Sequence, residues 1–371
     1  MMDEKYMNLA LTLATKGIGF VNPNPLVGAV IVKDDKLIGQ GWHEKYGGWH
    51  AERNALSNCS ESPNGATMYV TLEPCCHYGK TPPCTKAIIQ NGIKKVVIGC
   101  LDPNTLVSGK GAAILHEAGI DVVTGILQDK CIELNAVFFH YIKTKTPYVV
   151  MKYAMSIDGK IATASGKSKW ITGQKARENV HISRSQYSSI MVGVSTVIAD
   201  NPSLTCRIDG GRNPIRIICD TYLSTPLEST IISTAKEVRT IIATASDNPE
   251  KHKPYLSNGC EILETRIKDK HIDLNHLMQE LGAKGIDSIL LEGGSSLNFS
   301  ALQSKIVNKV QAYIAPKLFG GIQSKATVGG LGIQEVSDCF QLKNQTITWF
   351  DEDILMEGEV DYTCLQESSK K

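Results

Sequence analysis

Apolar residues recur along this chain with two alternating periods. Over residues 3–16, Tyr6, Leu9, Ala10 and Leu13 share one helical face. The NPNP run at 22–25 predicts a rigid turn, because proline fixes its own φ and restricts its predecessor. LVGAVIV (26–32) predicts a buried strand, Asp34–Asp35 a turn, and KLIGQGW (36–42) the hairpin partner. Residues 50–59 read as helix, 66–72 as strand, 82–92 as a helix closed by Gly92, 94–100 as strand, 109–119 as helix and 120–125 as a short strand. Strands alternating with helices predict an α/β layered fold. TKTP (144–147) reads as a linker, after which the pattern restarts. Strands are expected over 147–156, 187–193, 214–220, 238–245, 287–294 and 309–318, with helices over 173–186 and 273–285. Two α/β domains, 1–145 and 146–371, are expected, without repeats or low-complexity tracts.

Composition narrows the class. With 42% hydrophobic and 21% charged residues, the 371-residue chain has the balance of a globular protein with sizeable cores. A net charge of +1 gives no global field for nucleic acid or a membrane, and no basic, aromatic-interleaved channel is evident. No apolar run approaches the ~20 residues of a membrane span. The start, MMDEKYMNLALTLATKG, carries acidic residues where a signal peptide is basic. Eleven cysteines, without an export signal, read as reduced thiols or metal ligands. A cytoplasmic protein is expected, with no nucleic-acid or membrane partner.

The densest chemistry lies in WHAERNA and TLEPCCHYGKTPPC (71–84). His50 and Glu52 form an H-x-E, which with a later P-C-x-x-C marks zinc nucleobase deaminases. Here Pro74–Cys75 is present but position 78 is Tyr78, so the short form fails. A second Pro–Cys pair, Pro83–Cys84, points to His50, Cys75 and Cys84 as ligands. Three protein ligands leave zinc one open position, as catalysis requires. Glu52, near the ligand but not binding the metal, would shuttle protons. The alternatives are ordinary buried thiols and a structural zinc with Cys76 or His77 as fourth ligand. In the second half no G-x-G-x-x-G follows a strand, so a Rossmann fingerprint is absent. LLEGGSSLNF offers a strand, two glycines and a helix start able to hold phosphate, although many ordinary βα turns look alike.

These segments, with GCLDPNTLVSGKG, KYAMSIDGKIA, SGKSKWITG, GVSTVIADNPSLTCR and LLEGG, resemble the bifunctional riboflavin-biosynthesis deaminase–reductases over nearly the whole chain. The resemblance implies a cytidine-deaminase-like N-terminal domain (a mixed sheet with flanking helices) and a dihydrofolate-reductase-like α/β C-terminal domain. It implies zinc-dependent deamination of a phosphoribosylated diaminopyrimidinone, then reduction of its ribosyl group to ribityl with NADPH. The family's zinc ligands fall on His50, Cys75 and Cys84, and its proton-shuttling acid on Glu52. Deaminase substrate contacts carry over to Asn24, His43, His77 and Lys80, of which Lys80 and the histidines suit a phosphate or a polar ring edge. Serine is frequent in the family at position 76, where this chain has Cys76.

Reductase cofactor contacts carry over to Ala154, Trp170, Thr196, Asp200 and Gly294, Ser295, Ser296, Leu297, Asn298, Phe299 and Ser300. Substrate contacts carry over to Ser168, Arg184, Leu204, Arg207 and Glu292. Arg184 and Arg207 can grip a phosphate bidentately, Trp170 can wall a ring, and Glu292 is a candidate proton donor. The blander readings are core packing for Trp170, a turn residue for Asp200 and a surface helix arginine for Arg184. A homo-oligomer acting on a small molecule is expected. Two competing functions are a deaminase with an inert second half and a zinc-binding or redox protein without turnover.

Overall fold

The structure, a computed structural model, describes residues 2–79, 82–104 and 107–362. The chain divides into two compact units, Met1–Lys145 and Thr146–Lys371. The first contains strands β1 (Gly28–Lys33), β2 (Lys36–Trp42), β3 (Thr67–Leu72), β4 (Lys95–Cys100) and β5 (Asp121–Thr124) in the order β2-β1-β3-β4-β5. β1 pairs antiparallel with β2 and β3, and β3, β4 and β5 run parallel. Asp34 and Asp35 both take positive φ, the requirement of a type I′ hairpin turn. β1, β3 and β4 are buried almost throughout, because helices cover both faces and no solvent-facing alternation survives. The helices are α1 (Met2–Ala14), α2 (Ala51–Ser57), α3 (Cys84–Gln90), α4 (Lys110–Glu117), α5 (Gln128–Leu134) and α6 (Ala136–Thr144).

Glycines bring α2 onto the sheet. A Cβ at Gly41 would lie 2.4 Å from Ala55 N, and one at Gly39 would lie 2.6 Å from Ala55 O. With no side chain between helix and strand, α2 rests directly on β2, and its first turn carries His50 and Glu52. The last two helices depart from the sequence expectation, which assigned no element to 128–144. Neither has a side-chain N-cap, and VFFHYI carries the β-branched and aromatic residues that favour strands. The expected linker at 144–147 is correspondingly shorter. Thr144 ends α6, Lys145 turns the chain at φ +58, and the next strand starts at Tyr148.

The second unit is built on a nine-stranded sheet. Its strands are β6 (Tyr148–Ser156), β7 (Ser189–Gly193), β8 (Ile215–Cys219), β9 (Thr240–Thr244), β10 (Glu261–Glu264), β13 (Ser288–Leu291), β14 (Val307–Ala315), β15 (Gln341–Phe350) and β16 (Asp353–Asp361), with β11 (Ile267–Lys268) and β12 (His271–Ile272) forming a separate ribbon. The order β10-β9-β8-β7-β13-β6-β14-β16-β15 is parallel as far as β14 and closes with an antiparallel hairpin. The sequence reading assigned no strand there: β15 is exposed along nearly its whole length, and β16 alone carries the hairpin's buried positions. The helices are α7 (Gln174–Gln186), α8 (Val194–Asp200), α9 (Thr230–Ser233), α10 (Pro249–Ser257), α11 (Leu274–Ala283) and α12 (Ser295–Gln303). The β7–α8 and β13–α12 turns lie at the carboxyl ends of adjacent parallel strands, where open α/β sheets form ligand crevices.

Candidate functional site

His50 occupies the N-cap position of α2 in extended geometry, and Glu52 lies buried in the helix's first turn. Cys75 follows the end of β3, and Cys84 opens α3 after Pro83. Sequence separations of 25 and 9 thereby collapse onto one point. His50 Nδ1 lies 3.5 Å from both Cys75 Sγ and Cys84 Sγ, and all three ligand atoms lie within 4.8 Å of one another. A tetrahedral zinc with bonds of ~2.0–2.3 Å separates its nitrogen and sulfur ligands by about 3.5 Å. One imidazole and two thiols at that spacing fit zinc in donor type and in size.

Among the described residues, the converging group is these three. Cys76 and His77 are not in it, so the four-ligand structural zinc is not built. Cys75 accepts the Cys84 backbone N–H at 3.3 Å, and hydrogen bonds from Cys84 and His50 hold its thiol down at about 4. Its partner Cys84 is pushed up by Cys75 and by burial. Burial raises the Glu52 carboxyl to about 6, and Glu52 lies within hydrogen-bond reach of Cys84.

His50, Glu52 and Cys75 open on a cavity of about 350 Å³ lined also by Asn24, His43, His77 and Asp102. His43 is buried, and both its ring nitrogens are engaged. Nδ1 lies 2.9 Å from the Trp49 carbonyl, which only accepts, so Nδ1 carries the proton. Nε2 then accepts from Asn24 Nδ2 at 3.1 Å. Burial lowers the His43 pKa, which favours the neutral ring that braces Asn24 and fits the polar-ring-edge alternative better than the phosphate one. His77 is exposed at the cavity wall. Lys80 lies outside the described residues. The sequence reading missed Glu73, Asn104, Val107, Phe138 and Ile142, which also line the cavity. Phe138 and Ile142 belong to α6, whose unrecognised helical spacing was the one available signal.

In the second unit, Arg184 from α7 grips Glu292 with Nε–Oε1 at 2.7 Å and Nη2–Oε2 at 3.0 Å. Its Nη1 donates to the Thr205 carbonyl at 3.2 Å, and Lys152 reaches Glu292 at 3.4 Å. Arg184 is only 12% exposed, so it is no surface arginine, and its fork is filled by Glu292 and not open to a phosphate. Although burial opposes it, the pairing with Arg184 and Lys152 brings the Glu292 carboxyl down to about 2. The pairing favours the ionised carboxylate, which weighs against the proton-donor reading.

Trp170 is 63% exposed with Arg177 over its ring at 4.6 Å, which excludes core packing. Ser168 and Asp200 approach to 3.5 Å, and a Cβ at Gly294 would lie 3.5 Å from Thr196 Oγ1. Ala154 and Leu297 are partly buried, as is Ser300, whereas Arg207 is exposed. Leu204 is buried with φ +53. Within 294–300 the helical phase divides the residues: Asn298 and Phe299 are buried, and Ser295 and Ser296 are more accessible. Asn298 donates to the Thr327 carbonyl at 2.9 Å and so acts as a strut.

Comparison with known proteins follows the same division. A family model described as the cytidine and deoxycytidylate deaminase zinc-binding region matches residues 1–100, and one described as the RibD C-terminal domain matches residues 147–356. The riboflavin biosynthesis protein RibD of Actinobacillus pleuropneumoniae is 56% identical over 357 residues, spanning 96% of this chain and 95% of that one. The structure of Acinetobacter baumannii RibD, form 1, superposes with a TM-score of 0.88 at 37% identity, over 97% of this chain and 99% of that one. That of a diaminohydroxyphosphoribosylaminopyrimidine deaminase/5-amino-6-(5-phosphoribosylamino)uracil reductase from Thermotoga maritima gives 0.85 at 39% identity, with 97% and 99% covered. Matched in both halves and nearly from end to end, the chain belongs to the RibD family of riboflavin biosynthesis proteins.

Proposed function

We propose that this chain catalyses two successive steps on one phosphoribosylated diaminopyrimidinone. The Met1–Lys145 unit removes an exocyclic amine by hydrolysis, and the Thr146–Lys371 unit reduces the ribosyl side chain to ribityl with NADPH. The observation that carries this reading is the convergence of His50, Cys75 and Cys84 beside the buried Glu52 on the wall of a cavity. These three residues would hold a zinc ion, which when bound supplies the Lewis acid that makes hydroxide available near neutral pH. Glu52, with its carboxyl near 6, accepts the proton of the attacking water and returns it to the departing amine. The balance is one water consumed, one C–N bond broken, ammonia released and a ring carbonyl formed. Asn24, steadied by His43, keeps its carbonyl oxygen and second N–H for the edge of the pyrimidine.

NADPH, when bound, supplies the hydride that reduces the C=N of the opened ribosylamine. Gly294, Ser295, Ser296 and Thr196 would hold its phosphates and Trp170 would wall a ring, with Ala154 and Asp200 beside them. Ser168 and Arg207 suit the substrate phosphate. Glu292 orients Arg184 and Lys152, so its role is positional. All described cysteines are free, which suits the reducing cytoplasm. No described helix is long and apolar enough to cross a membrane. We include self-assembly in this reading, supported by the exposed Ile347 and Trp349 on edge strand β15.

Incubation with the diaminopyrimidinone should release ammonia without NADPH. Addition of NADPH should then consume it and increase the product mass by two hydrogens. The Glu52→Ala variant should keep its zinc and lose ammonia release. Full release by that variant would remove Glu52 from the mechanism, and an unoxidised NADPH pool would leave the second unit without its assigned reaction.

A further inference from the structure

Glu73 lines the deaminase cavity, is 4% exposed, and has no part in the chemistry above. Its carboxylate accepts three backbone N–H groups. Oε2 takes Asp102 N at 3.1 Å and Gly109 N at 2.9 Å, and Oε1 takes Ala112 N at 3.2 Å. The Glu73 N–H donates in turn to the Cys100 carbonyl at 3.0 Å. Gly109 is the N-cap of α4 and Ala112 lies in its first turn, so two of the bonds cap that helix. The third reaches Asp102, outside the helix. Asp102, Asn104 and Val107 line the cavity. The oxygen that accepts from the Gly109 N–H also accepts from Asp102, so one carboxylate joins the residues after β4 to the start of α4.

Further hydrogen bonds and a close packing contact fix the described residues around Glu73. Asn104 N donates to Asp102 Oδ1 at 2.8 Å, and Val107 N to the Asn104 carbonyl at 2.8 Å. A Cβ at Gly111 would meet the Pro74 carbonyl at 2.2 Å, so the start of α4 lies directly on the Glu73–Pro74 turn. Burial of a carboxylate is unfavourable unless hydrogen bonds compensate it, and an ordinary exposed cap would hold the helix alone. The added tie to Asp102 at the cavity wall accounts for a buried glutamate at this position.

We propose that Glu73 is a positioning residue for deamination, setting Asp102, Asn104 and Val107 against the substrate. The inference rests on the deaminase reading of the first unit. It is tested with Glu73→Gln, whose amide places an N–H donor where an oxygen accepted, so at least one tie is lost. The expected result is a KM for the diaminopyrimidinone raised about tenfold with kcat changed less than about threefold. Zinc content and NADPH oxidation with deaminated substrate stay at wild-type levels, and amide hydrogen exchange of the 102–112 segment rises. Glu73→Asp, which retains the acceptors, should recover part of the KM.

An unchanged KM in Glu73→Gln overturns the proposal, and so does a fall in kcat accompanied by zinc loss, which would make Glu73 a support of the metal turn. If Glu73→Gln does not fold, Glu73→Asp carries the test alone: an intermediate rise in KM supports the proposal and a wild-type KM overturns it. Wild-type protein that releases no ammonia defeats the deaminase reading itself. Wild-type turnover with an unmoved Glu73→Gln KM defeats only this inference.

Discussion

Glu292 stands between Arg184 and Lys152 with all three side chains nearly sealed from water. Its folded pKa of about 2 lies below the ordinary value of 4.5, so the pairing stabilises the protein above about pH 4.5 and is lost as pH falls through about 2. On the order of 3 kcal/mol is at stake. Urea denaturation of the second unit should show its stability declining across that window, and a Glu292→Gln variant should show a shallower decline. Glu292→Ala would strand two buried cations and should destabilise the unit by about 3–5 kcal/mol. The family resemblance pointed to Glu292 and Arg184 as substrate contacts. Their pairing was hidden, because a contact over 108 positions leaves no local mark in the sequence.

At the scale of elements, the seating of α2 on β2 governs the metal centre, since His50 and Glu52 occupy the start of that helix. Gly41→Val would drive side-chain atoms into the Ala55 backbone and displace α2. A stability loss of about 1–3 kcal/mol is expected, together with reduced bound zinc, read by thermal melting and metal analysis. Normal zinc content in a folded Gly41→Val protein would show that α2 has room to shift. Most of the central strands were legible because burial on both faces leaves continuous apolar runs. α5, α6, α8, α9, α10, β10 and the β15–β16 hairpin were not: most are short, VFFHYI in α6 is rich in strand-favouring residues, and β15 is exposed along nearly its whole length. The loss of α6 from the sequence reading removed Phe138 and Ile142 from the expected cavity.

At the scale of the molecule, each unit has its own hydrophobic core: one is built on β1, β3 and β4, and two others cover the faces of the nine-stranded sheet. Among the described residues, the converging metal ligands belong to the first unit. A chelator that strips zinc should therefore abolish ammonia release while NADPH oxidation with deaminated substrate persists. Parallel loss of both activities, with the second unit still folded by denaturation, would contradict this separation. Arg216 illustrates how a core accepts a charge without a carboxylate partner. Its buried guanidinium donates to Thr240 Oγ1, Thr234 Oγ1 and the carbonyls of Ser203, Thr234 and Val238, and so anchors the segment beside Leu204.

The amino-acid sequence by itself determined the alternation of strands and helices, the turn at Asp34–Asp35, and the identity of the imidazole and thiols able to bind zinc. Each depends on short-range physics: side-chain periodicity, backbone sterics and donor chemistry act within a few residues. Only the tertiary structure decided which of these groups meet. Pairing of β1, β3 and β4 sets the turn after β3 against the first turns of α2 and α3, and it brings Glu73 under both Asp102 and Gly109. It also gave partners to residues whose chemistry was already visible, setting His43 against Asn24 and Glu292 between Arg184 and Lys152. Protonation and hydrogen-bond partners follow from burial and from neighbours far away along the chain, and these exist only once the sheets have formed.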